Sequence, residues 1–215
     1  PDSALEQLRE YLAEHSGGRS DDPRKLHLQV LQAQALKALD RESTMNYGNL
    51  LSNLDKLPLI DHVRLDSLLH QNAEWGPQAE ALFGEIKENE WITVRGAHLE
   101  EWPEGYGWWW MNSPDALLAA GLKLDLLVAP EAERVSRTAS TLVRAREGKR
   151  WRNTYDAAQA LDALAEYAEV RESTPPDFVA SLALDGSDAA DYAFRGYDLG
   201  LQSQVFPLAE VSQGQ

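Results

Sequence analysis

Leu5, Leu8 and Leu12 recur at i, i+3 and i+7 between Ala4 and Glu14, the spacing of one face of a helix. Ser3 stands where a cap is expected, and Ser16-Gly17-Gly18 stops the run. Asp21-Asp22-Pro23 opens a second helix, with Leu28, Leu31, Ala35 and Leu39, or the adjacent Val30, as its apolar side. A third, short helix begins after Ser43 and carries Leu50, Leu51 and Leu54 up to Pro58. Ile60 to His70 reads as a fourth helix, with Val63, Leu65, Leu68 and Leu69. Gly76-Pro77 punctuates, and Ala79 to Lys87 forms a fifth around Leu82, Phe83 and Ile86. The short connections predict antiparallel neighbours.

From Glu90 to Met111 no helical period fits. Trp91-Ile92-Thr93-Val94 reads as a short strand and the rest as a long loop or hairpin. This segment holds Trp91, Trp102, Trp108, Trp109 and Trp110, most of the seven tryptophans. Loops of this length in a compact domain are often functional. Three strong helices follow, Ser113 to Leu127, Glu131 to Glu147 and Thr154 to Val170. Ala and Leu dominate the first and third, which predicts close-packed inner helices. The middle one places Val135, Thr138, Leu142 and Ala145 on one side, and its arginines 134, 137, 144 and 146 predict an outer, solvated face. After Ser173-Thr174-Pro175-Pro176 the period shortens to two. Phe178 to Leu184 predicts a strand, Asp185-Gly186 a turn, and Asp191 to Phe194 a strand pairing back. Leu199 to Val211 is a candidate third strand.

The expected organisation is a helical domain over 1–172 and a β unit over 173–215. A unit as small as the second buries little alone, so it is either docked on the helices or the opening strands of a larger domain.

One pattern occurs twice. Trp110-Met111-Asn112-Ser113-Pro114-Asp115-Ala116 returns 41 residues later as Trp151-Arg152-Asn153-Thr154-Tyr155-Asp156-Ala157. Each copy reads as a helix start. Ser113 or Thr154 offers a cap, and Asp115 and Asp156 bring negative charge to the positive end of the helix dipole. Matching identities at one spacing near 40 residues favour true repetition of a helical hairpin over two unrelated caps.

The charge balance narrows the partners. The 215 residues carry 35 acidic and 20 basic side chains, a net charge of −15. Phosphate contacts need clustered Lys and Arg, so nucleic acid is excluded as an expected partner, and anionic membrane surfaces are disfavoured. No apolar run is long enough to span a membrane. The absence of cysteine excludes disulfides, zinc-thiolate sites and a cysteine nucleophile within this chain. The start at Pro1-Asp2-Ser3, without Met or a signal peptide, reads as a mature product or a piece of something longer.

Candidate chemistry is sparse. Glu100, Glu101 and Glu104 lie among Trp102 and Trp108 to Trp110. Carboxylates beside tryptophan platforms suit glycoside cleavage, with Glu101 and Glu104 as the acid pair. The competing reading is solvated acids and a tryptophan staple on a helical core. His62 and His70 are eight residues apart and face about 80° apart on a helix, which is poor for a shared metal. No phosphate-cradling glycine loop and no Gly-x-Ser-x-Gly elbow occurs. No cofactor and no metal site is predicted.

The run from Trp151 through Asn153-Thr154-Tyr155-Asp156-Ala157 to Leu164-Ala165-Glu166-Tyr167 resembles the last inner helix of the thioester domain of bacterial alpha-2-macroglobulins. Arg146-Glu147-Gly148-Lys149-Arg150 resembles the end of that family's preceding outer helix, and Asp177 to Gly186 resembles the strand and turn that follow the domain. The resemblance covers about 108–200. It implies a mainly α fold, an α/α toroid with a small C-terminal β segment that opens a β-sandwich. It also implies a non-enzymatic part of a protease-trapping inhibitor, whose partners are proteases and the other domains of the parent chain, in the periplasm or outside the cell. In thioester-containing relatives a His near the place of His98 attacks the thioester. His98 is therefore a candidate, set against an ordinary loop histidine. The sequence departs from the family at the Cys-x-Glu-Gln thioester tetrapeptide, for which there is no cysteine. The resemblance thus places the tetrapeptide upstream of Pro1 or implies its loss. A toroid glycoside hydrolase or lyase using the loop 98–110 is the alternative.

Overall fold

The structure, a computed structural model, describes residues 2–15, 18–39, 46–88, 90–93, 96–99, 113–146, 148, 150–184, 187–196, 203 and 205. It contains helices α1 (Asp2–His15), α2 (Pro23–Ala38), α3 (Tyr47–Leu51), α4 (Leu59–His70) and α5 (Gly76–Glu88). Strands β1 (Glu90–Thr93) and β2 (Gly96–Leu99) follow, then α6 (Pro114–Val128), α7 (Glu133–Arg144) and α8 (Thr154–Arg171). Strands β3 (Asp177–Leu184) and β4 (Ser187–Arg195) complete the described elements. The fold is mainly α with a small C-terminal β segment, as the periodicity predicts. The chain forms two compact units, Pro1–Val170 and Arg171–Gln215.

In the first unit, burial alternates along the chain. Helices α2, α4 and α6 are the deeply buried ones, whereas α5 and α7 bury a single stripe each. Helix α4 packs on α2, α5 and α6, and α6 packs in turn on α7. Helix α6 explains why two apolar clusters meet. Ala116, Leu117 and Leu124 enter the cluster built on α2 to α5. Leu118, Ala119, Leu122 and Leu126, on its other side, enter a cluster with Val135, Ala139 and Leu142 of α7 and Ala160 and Ala163 of α8. A helix that is apolar all round is a helix buried on both sides. Helix α8 reaches this cluster through Ala160 and Ala163, with Ala157, Leu164 and Tyr167 half-buried against it.

Several boundaries and faces differ from the sequence expectation. Ser3 lies inside α1 rather than capping it. The buried side of α2 is Leu26, Val30, Ala33 and Leu36, rotated from the expected side, and Leu28 is exposed. Leu-rich α2 has apolar residues around much of its girth, so periodicity alone does not choose a face. Gly76-Pro77 begins α5 instead of interrupting the chain, since proline fits the first turn of a helix. The strand expected at Trp91 is β1, and it pairs antiparallel with β2, Trp91 opposite His98. Arg134 of α7 reaches a buried carboxylate instead of solvent, whereas Arg144 and Arg146 are exposed.

In the second unit β3 and β4 form one antiparallel pair with Phe178 opposite Phe194 and a register shift after Leu182. The two phenyl rings stack with centroids 5.1 Å apart, and Gly196 donates its amide to the Pro176 carbonyl at 2.8 Å. A stacked cross-strand aromatic pair is the kind of contact that fixes register. Phe178, Val179 and Leu182 remain exposed, so apolar side chains lie open on both faces of the hairpin. The candidate strand Leu199 to Val211 lies, apart from isolated residues, outside the described residues.

Leu65 on α4 is fully buried. Leu65→Ala is expected to lower the unfolding free energy by about 2–5 kcal/mol, the range for cavity-forming core truncations, as measured by urea denaturation.

Candidate functional site

The described parts of the two signature copies, 113–116 and 151–157, meet through Ser113 and Asp156. Ser113 is the N-cap of α6, and its hydroxyl oxygen accepts the Ala116 amide at 3.0 Å. The same hydroxyl donates to Asp156 Oδ1 at 2.5 Å. Asn153 donates through Nδ2 to Asp156 Oδ2 at 2.8 Å, and its Oδ1 accepts the Asp156 amide at 2.8 Å. The Asp156 carboxylate, 1% exposed, therefore sits between the starts of α6 and α8 and has a donor on each oxygen. Further along, Lys123 of α6 pairs with Asp162 at 2.6 Å and Glu166 at 3.4 Å on α8. Burial alone would pull Lys123 down, but the hydrogen bonds and charges of Asp162 and Glu166 raise its pKa above the ordinary lysine value. Start meets start and middle meets middle, so α6 and α8 run in the same direction, with α7 returning between them.

The cap of α8 is Asn153, not Thr154, which is the first helical residue. The helix thus starts one position earlier within the second copy than within the first. Asp115 falls at the second helical position and Asp156 at the third. One residue turns a side chain by about 100°, enough to carry the second carboxylate inward. Behind this start, the Trp151 indole donates to the Leu142 carbonyl at 3.0 Å and ties α8 to the end of α7. Gly148, at φ +70°, makes the turn that brings the chain back.

Two further polar clusters lie in the helical core. On α4, Asp61 Oδ2 lies 2.6 Å from His27 Nδ1 of α2, and Asp61 Oδ1 accepts from Arg64 at 3.1 Å. Arg64 donates to the Tyr155 hydroxyl at 2.6 Å, so the cluster reaches from α2 through α4 to α8. On α6, buried Asp125 is paired with Lys87 of α5 at 2.7 Å and Arg134 of α7 at 3.0 Å. Both cations also lie over the Phe83 ring, at 5.1 and 5.5 Å from its centroid. A buried carboxylate is tolerated because it is paired and hydrogen bonded. These clusters hold helices in a fixed relation.

The residues singled out from sequence fall elsewhere. His98 stands on β2, beside α6 and α7. Glu101 and Glu104 lie outside the described residues, as do Trp102 and Trp108 to Trp110. His62 lies 2.9 Å from the Leu54 carbonyl through Nε2, and His70 is close to Asp66 on the same helix. Among the described residues no cluster of three potential ligands suits a metal ion, and no helix is long and apolar enough to cross a membrane. Sequence reading passed over Asp61, Arg64, Asp66 and Asp125. The signal was present: each interrupts an apolar run on a helix, where a buried charge needs a partner.

The chain is 29% identical over 191 residues to an alpha-2-macroglobulin homolog from Nostoc sp., an alignment covering 88% of this chain. The chain spans 10% of the length of that curated relative. No family model matches the chain.

Removing the Ser113–Asp156 contact tests the joint between the helix starts. Ser113→Ala is expected to cost about 1–2 kcal/mol through the lost cap and the stranded carboxylate. In a double-mutant cycle with Asp156→Ala, urea denaturation should give a coupling of at least about 0.5 kcal/mol.

Proposed function

We propose that the chain is a helical segment of an alpha-2-macroglobulin-like protein and serves that protein's protease-trapping action as a conformational and binding part. The observation that carries this reading is the similarity to the Nostoc alpha-2-macroglobulin homolog along 88% of the chain. The arrangement of α6, α7 and α8 supports it. Two same-direction inner helices with an outer one returning between them are one and a half hairpins of an α/α toroid, the architecture of the family's thioester domain. The region from Trp151 to Tyr167, which resembles that domain's last inner helix, lies on α8.

On this reading the chain has no catalytic step of its own, and any thioester of the parent is made by residues outside it, since the chain has no cysteine. Its partners are proteases met through the parent and neighbouring domains of the same parent, in the periplasm or outside the cell. The β3–β4 hairpin, with apolar side chains on both faces, is the opening of the β-sandwich that follows. Helix α4 and the Asp156 joint make the helical segment stiff, so that it can move as a body when the parent closes.

The full-length parent, mixed with a broad-specificity endopeptidase, is expected to block cleavage of a protein substrate while leaving cleavage of a small chromogenic peptide intact. Asp156→Ala in the parent should weaken the block on the protein substrate and leave the peptide rate unchanged. A parent that inhibits neither substrate, or both equally, would contradict the reading.

A further inference from the structure

Among the described residues four acids on the helices are buried, and one of them, Asp66, lacks a hydrogen-bond partner on its carboxylate. Asp61, Asp125 and Asp156 are each met by cations or hydrogen-bond donors. Asp66 on α4 is 0% exposed, and neither of its carboxylate oxygens has a hydrogen-bond partner among the described residues. His70 Nδ1 lies 3.2 Å from Asp66 Oδ1, near enough to act electrostatically but not aligned as a hydrogen bond, and 3.2 Å from the Asp66 main-chain carbonyl. The His70 Nε2 is buried without a partner, 4.0 Å from Oε1 of the mostly exposed Glu80 on α5. The imidazole meets the Phe83 ring of α5 edge-on, with centroids 5.9 Å apart.

We propose that Asp66 and His70 form a proton-operated latch on the interface between α4 and α5, closed when Asp66 is protonated and loosened when it ionises. A protonated carboxyl is neutral, and burying it costs far less than burying its ionised form. An ionised one is a buried charge with no hydrogen bond on either oxygen among the described residues. The charged groups acting on it are His70 on its own helix and Glu80 and Lys87 on α5. Lys87 is already held by Asp125 of α6, which also holds Arg134 of α7. His27 of α2 and Arg64 are engaged with Asp61. Among the described residues, the cationic group nearest an ionised Asp66 is thus His70.

Burial pushes the Asp66 carboxyl up from 3.8 to about 7, against the pull of neighbouring His70, with Glu80 raising it further and Lys87 lowering it. The folded state therefore binds this proton where the unfolded chain has released it. Stability from this group is greatest at low pH and declines as pH rises from about 4 to about 7. The direction is opposite to that of a salt-bridged carboxylate.

The test uses the whole chain and its Asp66→Asn variant, whose amide stays neutral at every pH. Between about pH 5 and pH 8 the wild-type unfolding constant should rise relative to that of Asp66→Asn by on the order of a hundredfold. His70→Gln removes this nearby cation and should move the wild-type transition to higher pH. Carboxyl-carbon NMR of the wild type supplies a readout independent of the variants' folding, and should place the Asp66 midpoint near neutrality. Amides of α5 should lose protection over the same interval, beyond the intrinsic rise in exchange rate. Parallel stability profiles for wild type and Asp66→Asn, or an Asp66 midpoint in the ordinary carboxylate range, would overturn the proposal.

Discussion

One carboxylate sets the relation between two helices. Asp156 receives the Ser113 hydroxyl from α6 and the Asn153 amide from its own helix start, and almost none of it is open to water. Ser113 gives its lone pair to the Ala116 amide while giving its proton to Asp156. The cap of one helix is thereby also the lateral tie to the next. Such a contact is directional in a way that the leucines and alanines beneath it are not. Apolar packing brings α6 and α8 together, and the shared cap decides that they start together.

The same division of labour recurs in the core. Leu117, Leu122, Leu124 and Leu142 supply buried area, while His27, Asp61, Arg64 and Tyr155, and then Lys87, Asp125 and Arg134, supply direction. Helix α4 is the centre of this arrangement, with neighbours on three sides. Its buried charges cost desolvation, which is offset where they are paired. Asp66 is the one place on α4 where that offset is missing among the described residues.

The elements were legible wherever periodicity and punctuation agreed. Asp22-Pro23, Ser113-Pro114 and the Asp185-Gly186 break each mark a boundary by a mechanism that acts locally, and all three elements stand close to where those residues put them. Faces were less legible. In α2 the apolar residues ring the helix, so tertiary packing chose Leu26 and Val30 over Leu28. The repeat was legible as a repeat, but its two copies cap differently, through Ser113 in one and Asn153 in the other. A single-residue offset of that kind depends on what lies beside the helix start. Asp61, Asp66 and Asp125 could be marked from sequence as charges within apolar runs, whereas their partners come from α2, α5 and α7 and depend on the fold. His98 could be placed on β2, and Glu101 and Glu104 fall outside the described residues, so the chemistry read from sequence alone stays with the sequence.

Helices α6 and α8 run side by side in the same direction. The chain has no cysteine, so a single nitroxide label can be placed on Pro114→Cys at the exposed start of α6. Helix α8, with 18 residues, is about 27 Å long, so its two ends lie at clearly different distances from such a label. Paramagnetic broadening should be strong at the amides of Asp156 and Ala157 and weak at those of Glu169 and Val170. The reverse pattern, or no broadening on α8 at all, would contradict that arrangement.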